Sequence, residues 1–486
     1  MRTFYLRKFD KPILSSKIKN EKVTNKERWL GFCIGPALVT TLYAGVSGSY
    51  LNSFYTDVLG LNALAGGTFL ALLPIISKIL DAVTNILMGQ IVDNTRSSQG
   101  KARPWILLAG PLLAISAIFL FSVPRSNMLI TAVWVVCSYN LFFAVSYTMY
   151  NLSNVAMIPL STRDNKQRDK IAMASSIGLN IIPGLILAFV FPSFLLPLMG
   201  VDQTKWILVM SILAVLAIPG TLIQYYCTKE RVTEEVKPKE TGSEKSISLK
   251  AQVKGCLSSR YWVLIMLVCI IYQLYNNFSV TSMLYYSNWV LGSYNDGKTL
   301  TILNVVGQAM LGPGIAVLWP LVGKIGKQKV YIIGSVFAVA GGVVGMLNAK
   351  NLMMALVALT IRSIGTLPIT YLTLSMVADA LDHVEWKSGY RCDGFSSSIY
   401  SIIITLSAGI SMGIFNLGLS MAGYIPPAAD GSFVVQTEAT QKFFISGMYG
   451  LPAFCALILL VIFCFFNLES KLPQIREELE LRRTKN

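Results

Sequence analysis

Lys78-Ile79-Leu80-Asp81-Ala82-Val83-Thr84-Asn85, followed by Gly89, Asp93-Asn94-Thr95-Arg96 and Gly100-Lys101-Ala102-Arg103-Pro104-Trp105, decides how this chain is read. A lysine and an aspartate sit inside an apolar run close to the ~20 residues that cross a bilayer, and a charged, glycine-bearing turn closes the run. An ionised carboxylate at bilayer depth is costly, and by default it marks an ion or substrate pathway. The stretch therefore reads as part of a membrane carrier whose coupling chemistry sits near Asp81.

The rest of the chain extends that reading. Its 486 residues are 53% hydrophobic and only 14% charged, with a mean hydropathy of +0.57; soluble domains run near ~25% charged. The net charge of +16 lies between the apolar runs. Alternating the loops across a bilayer puts about 34 Lys/Arg on the N-terminal side and about 5 on the other, which is the positive-inside signal. Both termini are expected to be cytoplasmic, with the protein multi-pass in the cell membrane. The basic excess reports orientation and implies no nucleic-acid partner. Eight cysteines without CxxC and a single histidine, His383, support neither a disulfide framework nor a zinc site. The first 28 residues carry nine Lys/Arg and no signal-peptide pattern.

Twelve helices are expected, at roughly 30–55, 63–92, 104–123, 128–158, 171–199, 205–227, 261–291, 300–322, 329–348, 352–381, 393–422 and 442–467. One long polar interval separates six spans from six. The organisation is a cytoplasmic tail over 1–28, a six-helix bundle over 29–227, a cytoplasmic linker over 228–260, a second bundle over 261–467 and a tail over 468–486. Gly100-Lys101-Ala102-Arg103 and Gly323-Lys324-Ile325-Gly326-Lys327 fall at matching places in the two halves, a faint internal repeat. The fold class is all-α integral membrane, with twelve transmembrane helices in two pseudo-symmetric six-helix bundles, the major facilitator fold.

The motifs together resemble the glycoside–pentoside–hexuronide:cation symporter family, the melibiose-carrier-like branch of the major facilitators. The resemblance rests on Tyr55-Thr56-Asp57-Val58-Leu59-Gly60-Leu61, the Asp81–Trp105 block, Tyr285-Tyr286, and Met376-Val377-Ala378-Asp379-Ala380-Leu381-Asp382-His383-Val384-Glu385 leading to Arg391-Cys392-Asp393. It implies a cation pocket of Asp81, Thr84, Asn85 and Thr148. Positions 81, 84 and 85 share one helical face. Here the chain departs from the family, whose prototype has a second aspartate at Asn85; the amide keeps an oxygen but removes the charge. The coupling ion is H+ or Na+, and uncoupled facilitation also gains weight. The sugar pocket departs further: Asn151, Val155, Ser176 and Thr405 stand where the prototype has an aspartate, a tryptophan, an arginine and a lysine. No acid lies between Glu27 and Asp57. Tyr147, Asn151, Thr370, Tyr400 and Ser401 remain as expected substrate lining.

Three groups have a plain reading beside a functional one. Asp81 either pairs structurally with Lys78 one turn earlier or couples transport, and the two are compatible. Arg362 either snorkels or pairs with an acid, or it clamps an anionic sugar group. Asp93, Arg96, Arg103, Asp379, Asp382, Glu385, Arg391 and Asp393 are either solvated loop charges or a network closing an inner gate. Gly31, Gly35, Gly45, Gly48 and Gly341-Gly342 are expected to serve helix packing. Nucleotide motifs and hydrolase constellations are absent from the sequence, so an enzyme is not expected.

The expected function is secondary active import of a glycoside or short oligosaccharide by cation symport and alternating access, with no cofactor and no obligate protein partner beside the glycoside and the lipid bilayer. The alternatives are an anionic, hexuronide-like sugar, an amphipathic lipid, uncoupled movement, or a sugar sensor that does not transport.

Overall fold

The computed structural model describes residues 4–5, 14–46, 49–232, 249–292, 294, 296–428 and 432–485. Gly48 and the central part of the expected linker, including Lys237-Pro238-Lys239-Glu240, lie outside them. Among the described residues, eleven helices are long and apolar enough to cross a membrane. They are Glu27–Val46, Leu64–Asp93, Arg103–Phe121, Met128–Ser161, Lys166–Met199, Gln203–Tyr226, Arg260–Val290, Lys327–Leu347, Leu352–Ser388, Asp393–Met421 and Glu438–Phe465.

The eighth expected span, 300–322, is broken. It forms two helices, Lys298–Ala309 and Leu311–Ile325, which meet at Met310. Gly312-Pro313-Gly314 explains the break, since Pro313 offers no N–H to the carbonyl one turn back and two glycines flank it. The tenth helix runs seven residues past its expected end, to Ser388, because its last two turns are charged and lack the apolar signal of a span. The only extended pairing among the described residues is a two-residue parallel bridge, Phe4–Tyr5 with Thr95–Arg96. Two further helices flank the spans. Leu249–Ser258 lies inside the expected linker, and Leu472–Lys485 lies in the expected C-terminal tail.

The chain forms two compact units: Met1–Leu61, Leu72–Lys237 and Pro426–Val434 in the first, and Asn62–Ala71, Pro238–Ile425 and Val435–Asn486 in the second. In the first, small residues let backbones touch. A Cβ on Gly35 would meet Gly220 O and Gln224 Cβ at 2.9 Å, and one on Gly31 would meet Cys227 O at 2.7 Å. In the second, a Cβ on Gly341 would meet Arg362 N at 2.7 Å and Ala358 O at 2.8 Å, while one on Gly342 would meet Ala453 Cβ at 2.5 Å. Without a hydrophobic drive between helices in lipid, such close approach supplies the packing energy. Gly341 also fixes where the backbone of Arg362 sits.

Each unit plugs the start of one helix with a distant glutamate. Glu230, just past the sixth span, accepts the backbone N–H groups of Lys101, Ala102 and Arg103 at 2.8, 2.9 and 2.9 Å. Glu469, just past the twelfth, accepts those of Lys327 and Gln328 at 2.8 and 2.9 Å. Both carboxylates satisfy orphan donors at the positive end of a helix. Both need a glycine with positive φ beside them, Gly100 at 105° and Gly326 at 85°, where a Cβ would strike the carboxylate. Burial pushes the Glu230 carboxyl above its ordinary value, and the three N–H groups pull it back down. Glu230→Ala is expected to destabilise the first unit by about 2–5 kcal/mol, because it leaves buried donors unpaired. Thermal unfolding of the purified chain would show it, with Glu230→Gln intermediate; an unmoved midpoint would refute the plug.

Candidate functional site

In the first unit the site forms around the second span, which is continuous α-helix over Thr68–Asp93. One turn separates Lys78 from Asp81, and their side chains meet, Lys78 Nζ donating to Asp81 Oδ2 at 3.0 Å. The two side chains are only 14% and 12% exposed. The fourth span contributes Thr148, whose hydroxyl donates to Asp81 Oδ1 at 2.9 Å and lies 3.2 Å from Phe143 O. Both carboxylate oxygens are therefore engaged. Thr148 reaches inward because residues Leu141–Tyr147 form a π-helical turn, a widening that re-aims the following side chains. Thr84 keeps to its own helix and donates to the Asp81 carbonyl at 3.0 Å. Asn85, half-buried, sits one turn past Asp81.

Aromatic rings line this centre. Tyr43 of the first span stacks on Tyr147 with ring centroids 3.6 Å apart and an interplanar angle of 11°. The Lys78 ammonium lies 5.6 Å from the centroid of the Phe143 ring, within reach of a cation–π contact. Tyr147 and Asn151 lie one turn apart on one face and are both half-buried. Tyr43 and Phe143 were not among the residues expected from sequence. Their only advance signal is that they are aromatic residues inside spans, which is too common to single them out.

The second unit holds Arg362 on the tenth span. Its Nη1 donates to Ser279 Oγ at 2.8 Å and to Met448 O at 2.7 Å. Both partners are neutral, and no ion pair of Arg362 occurs among the described residues. The phenols of Tyr275, Tyr449 and Tyr272 stand near the guanidinium. Tyr272 in turn shares a 3.1 Å hydrogen bond with Thr370, two turns beyond Arg362. Tyr400 is half-buried and Ser401 exposed on the eleventh span. Ser279, Tyr272, Tyr275 and Tyr449 are the members of this group that sequence reasoning missed.

Of the remaining charged candidates, Arg103, Asp379, Asp382, Glu385, Arg391 and Asp393 engage partners in their own units. Arg103 is buried and donates through Nε and Nη2 to Tyr225 O at 3.2 and 2.8 Å, so a cation rests at the negative end of the sixth span. Asp93 and Arg96 lie exposed around the turn after the second span. In the second unit, Asp379 takes Lys327 at 2.5 Å and Arg476 at 3.0 Å. Asp382 takes Arg391 at 2.7 Å and Arg476 at 2.9 Å. Arg391 also reaches Glu385 at 3.3 Å and Asp393 at 2.8 Å. Desolvation pulls the Arg391 guanidinium down, but hydrogen bonds to Asp382, Asp393 and Glu385 together outweigh it and hold the group above its usual range. The helix Leu472–Lys485, which carries Arg476, was not part of the expected network.

Comparison with known proteins gives the family and the fold. Residues 31–470 match the family described as MFS/sugar transport protein. The chain is 28% identical to the isoprimeverose transporter of Lactiplantibacillus pentosus, over 78% of its length and 76% of the relative's. It is 26% identical to the glucuronide carrier protein homolog of Escherichia coli (strain K12), over 93% and 95%. To the putative sulfoquinovose importer of the same strain it is 26% identical over 90% of each. Among solved structures, nucleoside transporter NupG superposes with a TM-score of 0.55 at 11% identity, over 90% of this chain and 99% of that one, a likeness of fold.

Proposed function

Because the chain belongs to the MFS/sugar transport family, we propose that it imports a glycoside or short oligosaccharide across the cell membrane by symport, with Asp81 as the coupling acid. The family makes it a multi-pass membrane transporter of sugars and not an enzyme. The observation that carries the proposal is the Lys78–Asp81–Thr148 arrangement, an acid held at membrane depth with both oxygens engaged. A proton or another cation reaching Asp81 competes with Lys78 for the carboxylate. That competition changes the charge state of the second span, as alternating access requires of a coupling site. Tyr147, Asn151 and Tyr43 offer ring faces and an amide for sugar hydroxyls, with Thr84 and Asn85 on the coupling face. Thr370, Tyr400 and Ser401 are the corresponding groups of the second unit. Gating falls to Asp93, Arg96, Arg103, Asp379, Asp382, Glu385, Arg391 and Asp393, and both termini are cytoplasmic in this reading. The test is sugar counterflow in proteoliposomes against a glycoside panel at two pH values. Counterflow for at least one glycoside is expected, and none across the panel would sink the reading.

A second reading concerns the sugar's charge. Among the described residues Arg362 has neutral hydrogen-bond partners and no acid, and a guanidinium fork suits a carboxylate or sulfonate. Two relatives are named for glucuronide and sulfoquinovose. An anionic glycoside would supply the missing counter-charge.

A further inference from the structure

The family resemblance brings with it a cation pocket of Asp81, Thr84, Asn85 and Thr148, and these residues do not fit a sodium ion. A hard cation needs several oxygen ligands at once and, in carriers, draws on backbone carbonyls freed by unwound helix. Here the second span is unbroken around Asp81, so its carbonyls stay inside the helix. The Thr84 hydroxyl is turned onto one of them, the Asp81 carbonyl, at 3.0 Å. The carbonyl near the π-helical turn that faces this centre, Phe143 O, already has the Thr148 hydroxyl 3.2 Å away. Asp81 Oδ1 accepts from Thr148 and Oδ2 from Lys78. Asn85 adds an amide where a second negative charge would be needed.

Charge counting points the same way. One carboxylate and one ammonium 3.0 Å apart already balance. A sodium ion would have to sit beside the ammonium, a like charge, whereas a proton bonds covalently to Asp81 and needs no seat of its own. The ammonium is also held from a second side by the Phe143 ring, at 5.6 Å. It behaves as a seated cation rather than as a side chain snorkelling to the surface.

We infer that Lys78 is the resident cation of this site: its ammonium occupies the seat a sodium ion would take, and the carrier is sodium-independent. The inference rests on Asp81 being the coupling acid. It specifies what Lys78 and Asn85 do together, one filling the seat and the other withholding the charge that would favour a metal ion.

The experiment uses the purified full chain, radiolabelled sodium, and thermal unfolding in sodium chloride against choline chloride. Wild type and Lys78→Arg are expected to bind no sodium above background and to unfold at the same temperature in both salts. The double variant Lys78→Met, Asn85→Asp is expected to gain saturable binding, at least ~10-fold above wild type, because two carboxylates then face an empty seat. Lys78→Met alone is expected to show a weaker gain, so the comparison survives if the double variant does not fold. Saturable sodium binding to wild type overturns the inference. So does a folded Lys78→Met protein with no sodium response. Counterflow on the same preparations separates the two claims: its loss in wild type counts against the transport reading, whereas sodium binding counts against the role of Lys78.

Discussion

Asp81→Asn is expected to keep sugar counterflow and to lose uphill accumulation. Counterflow needs only that the sugar site be exposed alternately on the two sides, whereas accumulation needs a charge whose movement is tied to the sugar's. Moving one charge through 100 mV is worth about 2.3 kcal/mol, or ~50-fold in concentration, and that factor is what the variant stands to lose. The amide is close in size to the carboxylate, and its oxygen still accepts the Thr148 hydroxyl. It cannot balance Lys78, whose ammonium is left at membrane depth beside the Phe143 ring. The double variant Asp81→Asn, Lys78→Met removes both charges and is expected to fold better than the single one while still failing to accumulate. Accumulation at the wild-type ratio by Asp81→Asn would remove Asp81 from the coupling mechanism.

Arg362→Gln carries the second large effect. If an anionic sugar supplies the counter-charge this guanidinium lacks among the described residues, truncating it costs about 2–5 kcal/mol, typical of a hydrogen-bonded charge pair, or roughly 30- to 4 × 10³-fold in apparent affinity. Glutamine preserves a donor to Ser279 or Met448, so the helix contacts survive in part. The measurement is competition in counterflow by a hexuronide, a sulfonated sugar and a neutral glycoside. A loss confined to the two anions supports the clamp. Equal losses for all three would make Arg362 a structural bolt between the tenth span and its neighbours.

The span pattern was legible because bilayer thickness fixes a length, and apolar composition marks it directly. The places where hydropathy misled are physical exceptions to that rule. Lys298–Ile325 is apolar enough to read as one span, but Gly312-Pro313-Gly314 interrupts its hydrogen bonding, a signal present in the sequence and outweighed by composition. The tenth helix continues to Ser388 through charged turns that lack the apolar signal. At the site, the pairing of Lys78 with Asp81 followed from helical spacing alone. Thr148 came from the family resemblance, and the structure places it on the carboxylate. Tyr43 and Tyr272 could not be picked out, because their partners, Tyr147 and Thr370, lie about a hundred residues away along the chain. Glu230 and Glu469 had a faint signal: each follows the last span of its half by a few residues, and each faces a glycine of the internal repeat.

Those two glutamates also impose an order on biogenesis. The start of the third span finds its acceptor 128 residues later, and the start of the ninth waits 142 residues for its own. A nascent chain therefore inserts each of these helices with bare amide hydrogens at one end, and the half stays electrostatically unfinished until its last span has been made. The first half is completed on the ribosome while the second is still being translated. The second is completed only when Glu469, just past the last span, has emerged. Premature stops or trimming between the twelfth span and Glu469 would thus injure a helix more than a hundred residues upstream, and a quality-control protease would meet that defect at the ninth helix, far from the cut.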